Sequence, residues 1–172
     1  MDALYCLLHR RSIRRFLDKQ ISDEELNTVL EAASYAPTAR GIQPAIIVAV
    51  QNPEDIEVMR RLNLRFWDRS VDPFYGAPTV VIVFADPDAV NHVKDASLVL
   101  GNMMNAAFAA GLGSCWINRA KESYETTEGK ALMAKWGVPE NYVGVGNCIL
   151  GYPEGEAPKP KKRRSDFIRI IR

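Results

Sequence analysis

The sequence predicts one compact domain that mixes helices with at least four strands. Three observations carry this prediction. The chain has 172 residues, 47% of them hydrophobic and 25% charged, which suits one core rather than two independent ones. Two apolar runs rich in β-branched residues, Ala45 to Val50 and Val80 to Ala85, read as strands. Around them lie segments whose apolar residues recur at helical spacing.

Taken in order, residues 2–10 read as a short helix with Leu4, Leu7 and Leu8 on one face, closed by Arg10 and Arg11. Ser22 and Glu25 form a capping box ahead of Leu26, Val29, Leu30 and Ala33, so a helix is expected from there to about Tyr35, stopped by Pro37. The loop TARGIQP leads into Ala45–Val50, expected to be a buried strand. Residues 53–66 carry Ile56, Met59 and Leu62 on one helical face. Asp72-Pro73 and Gly76-Ala77-Pro78 punctuate a loop, and VVIVFAD then reads as a central strand. From Ala89 to Ala110 the chain is apolar on most sides yet rich in helix formers, the pattern of a helix buried in the core or at a subunit interface. GLGSCWI breaks out as a turn and short strand, residues 124–136 read as one amphipathic helix, and Tyr142 to Leu150 as the last strand. Gly151-Tyr152-Pro153 closes the compact part. Beyond Pro153 lies a Pro-rich basic linker ending in Phe167, Ile168, Ile170 and Ile171, an apolar ending that calls for burial.

The net charge of +1 hides an uneven distribution. Residues 1–20 and 159–172 together hold twelve of the 22 basic side chains and three of the 21 acids, a net +9, which leaves the middle at −8. Such a pattern marks a localised anion site or two basic tails. No apolar run approaches the ~20 residues of a membrane-spanning helix, and the first residues have the reverse polarity of a signal peptide. Cys6, Cys115 and Cys148 are far apart, without C-x-x-C spacing. A soluble cytoplasmic protein, with no membrane partner, is expected.

Several common chemistries are absent. Gly111-Leu112-Gly113 lacks the third glycine of a dinucleotide-binding turn, Gly129-Lys130 lacks the rest of a P-loop, and no G-x-S-x-G occurs. His9 and His92 have no ligand-like partner, and a surface or helix-packing role is favoured over catalysis for both. Packing roles are likewise favoured for Trp116, Trp136 and Met103-Met104, and Cys115 reads as a small buried hydrophobe. Two basic elements are left, Arg10-Arg11-Ser12-Ile13-Arg14-Arg15-Phe16 at one end and Lys159-Pro160-Lys161-Lys162-Arg163-Arg164 at the other. Arginine forks and a serine hydroxyl suit a phosphate monoester. Equally, Arg10 and Arg11 could merely complement a helix C-terminus while the tail is solvated, and these residues alone do not choose between the two.

Six motifs in order resemble the FMN-dependent nitroreductase family. They are the basic Arg-x-Ser-x-Arg-x-Phe segment, Ala-Pro-Thr-Ala-x-x-x-Gln-Pro after the first long helix, Gly-Ala-Pro before a strand, Asn-Met-Met in a long helix, Gly-Leu-Gly-Ser-x-Trp-Ile, and the terminal basic segment. The resemblance spans essentially the whole chain and is to the short members of the family. It implies an α+β fold in which a central, mostly antiparallel sheet is flanked by helices. It also implies an intertwined homodimer with FMN at the subunit interface, residues 1–172 forming one domain whose basic extension 153–172 wraps the partner subunit.

The implied activity is transfer of electrons from NAD(P)H through FMN to a nitro compound, quinone or related small-molecule acceptor in a ping-pong cycle. No side chain is expected to be catalytic, because the flavin carries the chemistry. Carried over by position, Arg10, Ser12 and Arg14, with Arg11 beside them, resemble the family's phosphate and ribityl contacts, and Lys161 and Arg163 its C-terminal phosphate pair. Pro37, Thr38 and Ala39 resemble the loop that approaches the ring from the partner subunit, with Gln43 ahead of the strand. Trp116, Ile117 and Asn118 fall where backbone N–H groups face the flavin N5 and O4 edge. Two departures stand out: Gly41 where the family usually has Asn, and Ala45 where it usually has Trp. Arg40 and Gly41 are accordingly the expected substrate contacts, Arg40 adding a charge for a cofactor phosphate or an acidic substrate. The rival reading is a flavin-binding or polyanion-binding module without redox turnover. The acidic middle argues against nucleic acid as a partner.

Overall fold

The computed structural model describes residues 2–67 and 70–172. Its helices are α1 (Ala3–His9), α2 (Asp23–Ser34), α3 (Pro53–Leu64), α4 (His92–Ala109), α5 (Ala120–Tyr124) and α6 (Thr127–Lys135). Its strands are β1 (Ala45–Val50), β2 (Thr79–Ala85), β3 (Gly113–Ile117) and β4 (Val143–Gly151). They form one sheet in the order β1-β2-β4-β3, antiparallel at every step. The α+β architecture implied by the resemblance is the one present.

The sheet is the middle of three layers, because β2 is apolar on both faces and all seven of its residues are buried. Val80, Ile82 and Phe84 face Met59 and Leu62 of α3, Tyr124 of α5 and Met133 of α6. Val81, Val83 and Ala85 face Val29 and Ala33 of α2 together with Leu100 and Met103 of α4. A strand covered on both sides reads as a continuous hydrophobic run rather than an alternating one, as VVIVFA does. β1 is different. It lies at the edge and only Val50 is fully buried, so the expected buried strand is a half-covered one whose outer backbone edge has no neighbouring strand among the described residues.

The α2 capping box forms as expected, with Ser22 Oγ accepting from Glu25 N at 3.2 Å and Glu25 Oε2 accepting from Ser22 N at 2.8 Å. The helix expected over 124–136 is α6, which starts at Thr127, and a separate short helix stands just ahead of it. Thr126 caps α6 by accepting from Gly129 N at 3.0 Å, and α5 precedes it. The break has a packing reason: a Cβ on Gly129 would lie 2.2 Å from the carbonyl oxygen of Ser123, so the two helices meet at a point only glycine tolerates. Helix α4 buries Ala96, Val99, Leu100, Met103 and Ala107 on the sheet side while leaving Val93 and Leu98 about half exposed. The terminal Phe167, Ile168, Ile170 and Ile171 are exposed in an extended segment.

Candidate functional site

After α1 the chain runs extended along the outside of β3. Ser12 bridges Ser114 in a parallel sense, Ile13 N donates to Ser114 O at 3.0 Å, and Phe16 bridges Pro153. Residues 10–17 therefore fill the gap between β3 and the segment that leaves β4. Further backbone bonds, from Leu17 N to Tyr152 O and from Glu154 N to Arg15 O, both 3.0 Å, close that seam.

The arginines of this segment separate by role. Arg11 Nη1 donates to Leu8 O at 2.9 Å and to Arg10 O at 2.7 Å, satisfying carbonyls at the end of α1. The plain helix-end reading thus holds for Arg11. Arg15 pairs with Glu154 at 3.2 Å, and Arg14 lies over the Tyr75 ring at 5.9 Å. Arg10 stands apart, because its Nη1 is buried and has no hydrogen-bond partner. A guanidinium cannot shed its proton, so a buried guanidinium nitrogen without an acceptor calls for an anion or another acceptor. Burial pushes the Cys148 thiol well above its ordinary value, with Arg10's nearby charge acting in the opposite sense.

On β3, Ser114 turns its backbone away from β4 toward Ile13. By the period of two, Trp116 presents its backbone to the same outer edge. Ser12, Arg10 and the Trp116 backbone thus belong to one edge of the sheet, while Ile117, the next residue, pairs with Asn147 of β4. Trp116 also packs as expected, closing on Gly146, where a Cβ would lie 2.7 Å from the indole.

Pro37, Thr38, Ala39, Arg40, Gly41 and Gln43 lie elsewhere. Their loop enters β1, at the opposite edge of the sheet. Three strand spacings, about 14 Å, separate the two edges. This loop is wound tightly: Arg40 (φ 58), Gly41 (φ 69) and Gln43 (φ 49) are all left-handed. Thr38 Oγ1 accepts from Gln43 N at 3.1 Å. Both carboxylate oxygens of Asp95, a buried residue of α4, accept from Ala39 N, at 3.2 and 3.1 Å. Position 41 clarifies the departure from the family pattern, because glycine and asparagine are the residues that most readily take this conformation. The backbone is kept and an amide is lost. Beside the loop is a groove of about 610 Å³ lined by Tyr35, Pro37, Thr38, Gly41 and Gln43, within the size range of cofactor pockets.

The sequence-derived contacts are therefore gathered into two groups that one chain does not bring together. Lys161 and Arg163 join neither group. They are exposed on the extended tail and form no ion pair among the described residues, whereas Arg164 is engaged by Asp166 at 2.9 and 2.7 Å. Both histidines serve helix ends. His9 stacks on Tyr5 with ring centroids 4.0 Å apart, and His92 Nδ1 lies 2.8 Å from Ala89 O. Asp95, Asn63 and Asn147 escaped the reading of the sequence, although Asn147 is a lone polar residue in an apolar strand. Among the described residues no cluster of His, Cys, Asp or Glu could hold a metal, and no helix is long and apolar enough to cross a membrane.

The residues at the β3 edge fit a phosphate-bearing cofactor, since a buried unpartnered guanidinium nitrogen of Arg10, a serine and an outward-facing strand backbone supply cation and donors, while the nearby Glu154 is engaged by Arg15. The chain matches the sequence profile of the Nitroreductase family over residues 7–73 and 57–152. A protein of Archaeoglobus fulgidus, provisionally named NADH dehydrogenase/NAD(P)H nitroreductase, is 34% identical over 160 residues, covering 90% of this chain and 87% of that one. The crystal structure of a nitroreductase with bound FMN from Bacteroides fragilis superposes with a TM-score of 0.91 at 31% identity, covering 100% of both chains. A nitroreductase with bound FMN from Desulfitobacterium hafniense shares the fold at a TM-score of 0.89 and 23% identity, again over 100% of both chains.

Proposed function

The chain belongs to the nitroreductase family, and on that premise we propose that it is an FMN-dependent oxidoreductase working as a homodimer. When bound, FMN supplies the redox chemistry, accepting a hydride from NAD(P)H and passing electrons to a nitro compound, quinone or related acceptor in a second half-reaction. The residues of the chain bind, orient and shield. Arg10 and Ser12, with Arg14 near them, would hold the phosphate. The backbone of Trp116, Ile117 and Asn118 would face the ring edge with donors that need no titratable side chain. Pro37, Thr38, Ala39 and Gln43 of a second copy would cover the ring, with Arg40 and Gly41 meeting the substrate.

The observation that carries this reading is the buried, unpartnered Nη1 of Arg10 at the edge that holds Ser12 and Trp116. Two further features support the homodimer. The two groups of contacts lie at opposite edges of one sheet, so a single flavin touching both needs two chains. The exposed Phe167, Ile168, Ile170 and Ile171 would gain cover if residues 153–172 wrap the partner, bringing Lys161 and Arg163 to its phosphate site. Family membership weighs against the binding module without turnover.

The test joins an absorption spectrum to sedimentation. A dimer carrying flavin, whose flavin content and association both fall when residues 159–172 are deleted, is the expected result. A stable monomer with stoichiometric flavin would end the shared-site reading. Steady-state plots with NAD(P)H and a quinone are expected to give parallel double-reciprocal lines, also in His9→Ala and His92→Ala variants.

A further inference from the structure

At the end of β3 two side-chain amides converge on consecutive carbonyls. Asn147 Nδ2, from β4, donates to Ile117 O at 3.4 Å, and Asn63 Nδ2, from α3, donates to Asn118 O at 2.8 Å. Both asparagines are 1% exposed, and the Oδ1 of each is buried without a partner. Each site thus carries the desolvation of an orphaned acceptor. Stability alone does not call for these donors. Asn118 is exposed, so water could satisfy its carbonyl, and Ile117 already lies opposite Asn147 in the β3–β4 ladder.

The amides do determine direction. A peptide group is planar and trans, so its N–H points opposite to its C=O. Holding Ile117 O fixes the direction of Asn118 N–H, and holding Asn118 O fixes that of Arg119 N–H. The amides add to the β3–β4 pairing at Ile117 and pin the last peptide before the chain turns at Arg119, which is left-handed at φ 72 and opens α5. We propose that Asn63 and Asn147 are positioning residues that preset these N–H groups toward the ring edge of the cofactor. The proposal rests on the reading that Trp116 to Asn118 line the flavin. Donors fixed before the reaction cost no reorganisation when negative charge develops on the ring.

The test compares the FMN-bound protein with Asn63→Leu and Asn147→Val, which keep approximate volume and remove the donor. Amide hydrogen exchange is followed at residues 116–119 with and without FMN, alongside the midpoint potential of the bound flavin and the melting temperature of the flavin-free protein. We expect faster exchange at Asn118 and Arg119, and reduced FMN held about tenfold less tightly relative to oxidised FMN, a potential about 30 mV lower. The melting temperature should be unchanged or higher, because an orphaned acceptor is gone. If Asn63→Leu does not fold, Asn147→Val carries the same measurements. Unchanged potential and unchanged exchange at Asn118 and Arg119 in the folded variants would overturn the proposal, as would a loss of stability with the potential unmoved. A separate failure is visible in the unaltered protein: if FMN does not slow exchange at residues 116–118, the placement of the flavin is wrong and the proposal falls with it.

Discussion

At the β3 edge, residues 10–17 are stitched down by backbone bonds to Ser114, Tyr152 and Glu154, partners about 100 to 140 positions away. At the β1 edge, residues 37–43 are held by one carboxylate, one hydroxyl and their own left-handed turns. The first edge has settled its backbone and left a cation unsatisfied. The second has satisfied its polar groups and left its backbone strained. A ligand would therefore have different work to do on each side: it would complete the electrostatics of one edge, and it would meet a loop already held in strained turns at the other.

The largest effect that separates the two edges is expected for Arg10→Ala. It should cost about 1.5–3 kcal/mol of FMN affinity, the range for a charged hydrogen bond, and much less for riboflavin, which lacks the phosphate. Flavin-fluorescence titration measures both. The melting temperature of the flavin-free protein should not fall, because the lost group has no partner there. Equal losses for FMN and riboflavin would place the phosphate elsewhere.

At the other edge, Asp95→Ala frees Ala39 N–H and should lower stability by about 1.5 kcal/mol, with faster amide exchange confined to residues 37–43. Exchange unchanged at Ala39 would show that the loop holds itself. Smaller again is Arg40→Gly. Removing a side chain from a left-handed residue should raise stability by about 0.5–1 kcal/mol, seen in the melting temperature. Turnover should fall for anionic acceptors and not for neutral ones if Arg40 meets the substrate.

The smallest effect is a pH dependence at the seam between the edges. A short hydrogen bond from Tyr152 Oη, 2.6 Å, and the Ser22 backbone hold the Glu25 carboxyl below its ordinary value of 4.5. A carboxyl lowered in the folded state contributes stability above its ordinary value and loses it as pH falls through the folded one. Melting temperature should therefore decline between about pH 5 and 3, and Tyr152→Phe should flatten part of that decline.

Much of this was legible in the sequence because its signals are local. The Ser22–Glu25 capping box, the stop at Pro37, the central position of VVIVFA and the long apolar helix α4 all derive from neighbours in the chain. Non-local features were not legible. Whether Ala45–Val50 lies inside or at the edge depends on strand order, and the break between α5 and α6 depends on Gly129 meeting Ser123. Of the candidate site, Arg10 and Ser12 stand out in the basic run, but only the fold distinguishes Arg10 from Arg11. Asp95, Asn63 and Asn147 carry little local signal, Asp95 lying beside Lys94 and the two asparagines each between apolar residues, because their partners lie 30 to 56 positions away.

The seam joining residues 15–17 to residues 152–154 also governs the order in which the molecule can be made. Contacts of such wide sequence separation carry the greatest loop-closure cost and form late in folding. On the ribosome, β1 and β2 can pair while the arm bearing Arg10 and Ser12 still has no strand to lie against. The arm can meet β3 at Ser114 first, but its seam at residues 15–17 closes only after β4 has emerged, so the edge bearing Arg10 and Ser12 is completed after the β1–β2 pair.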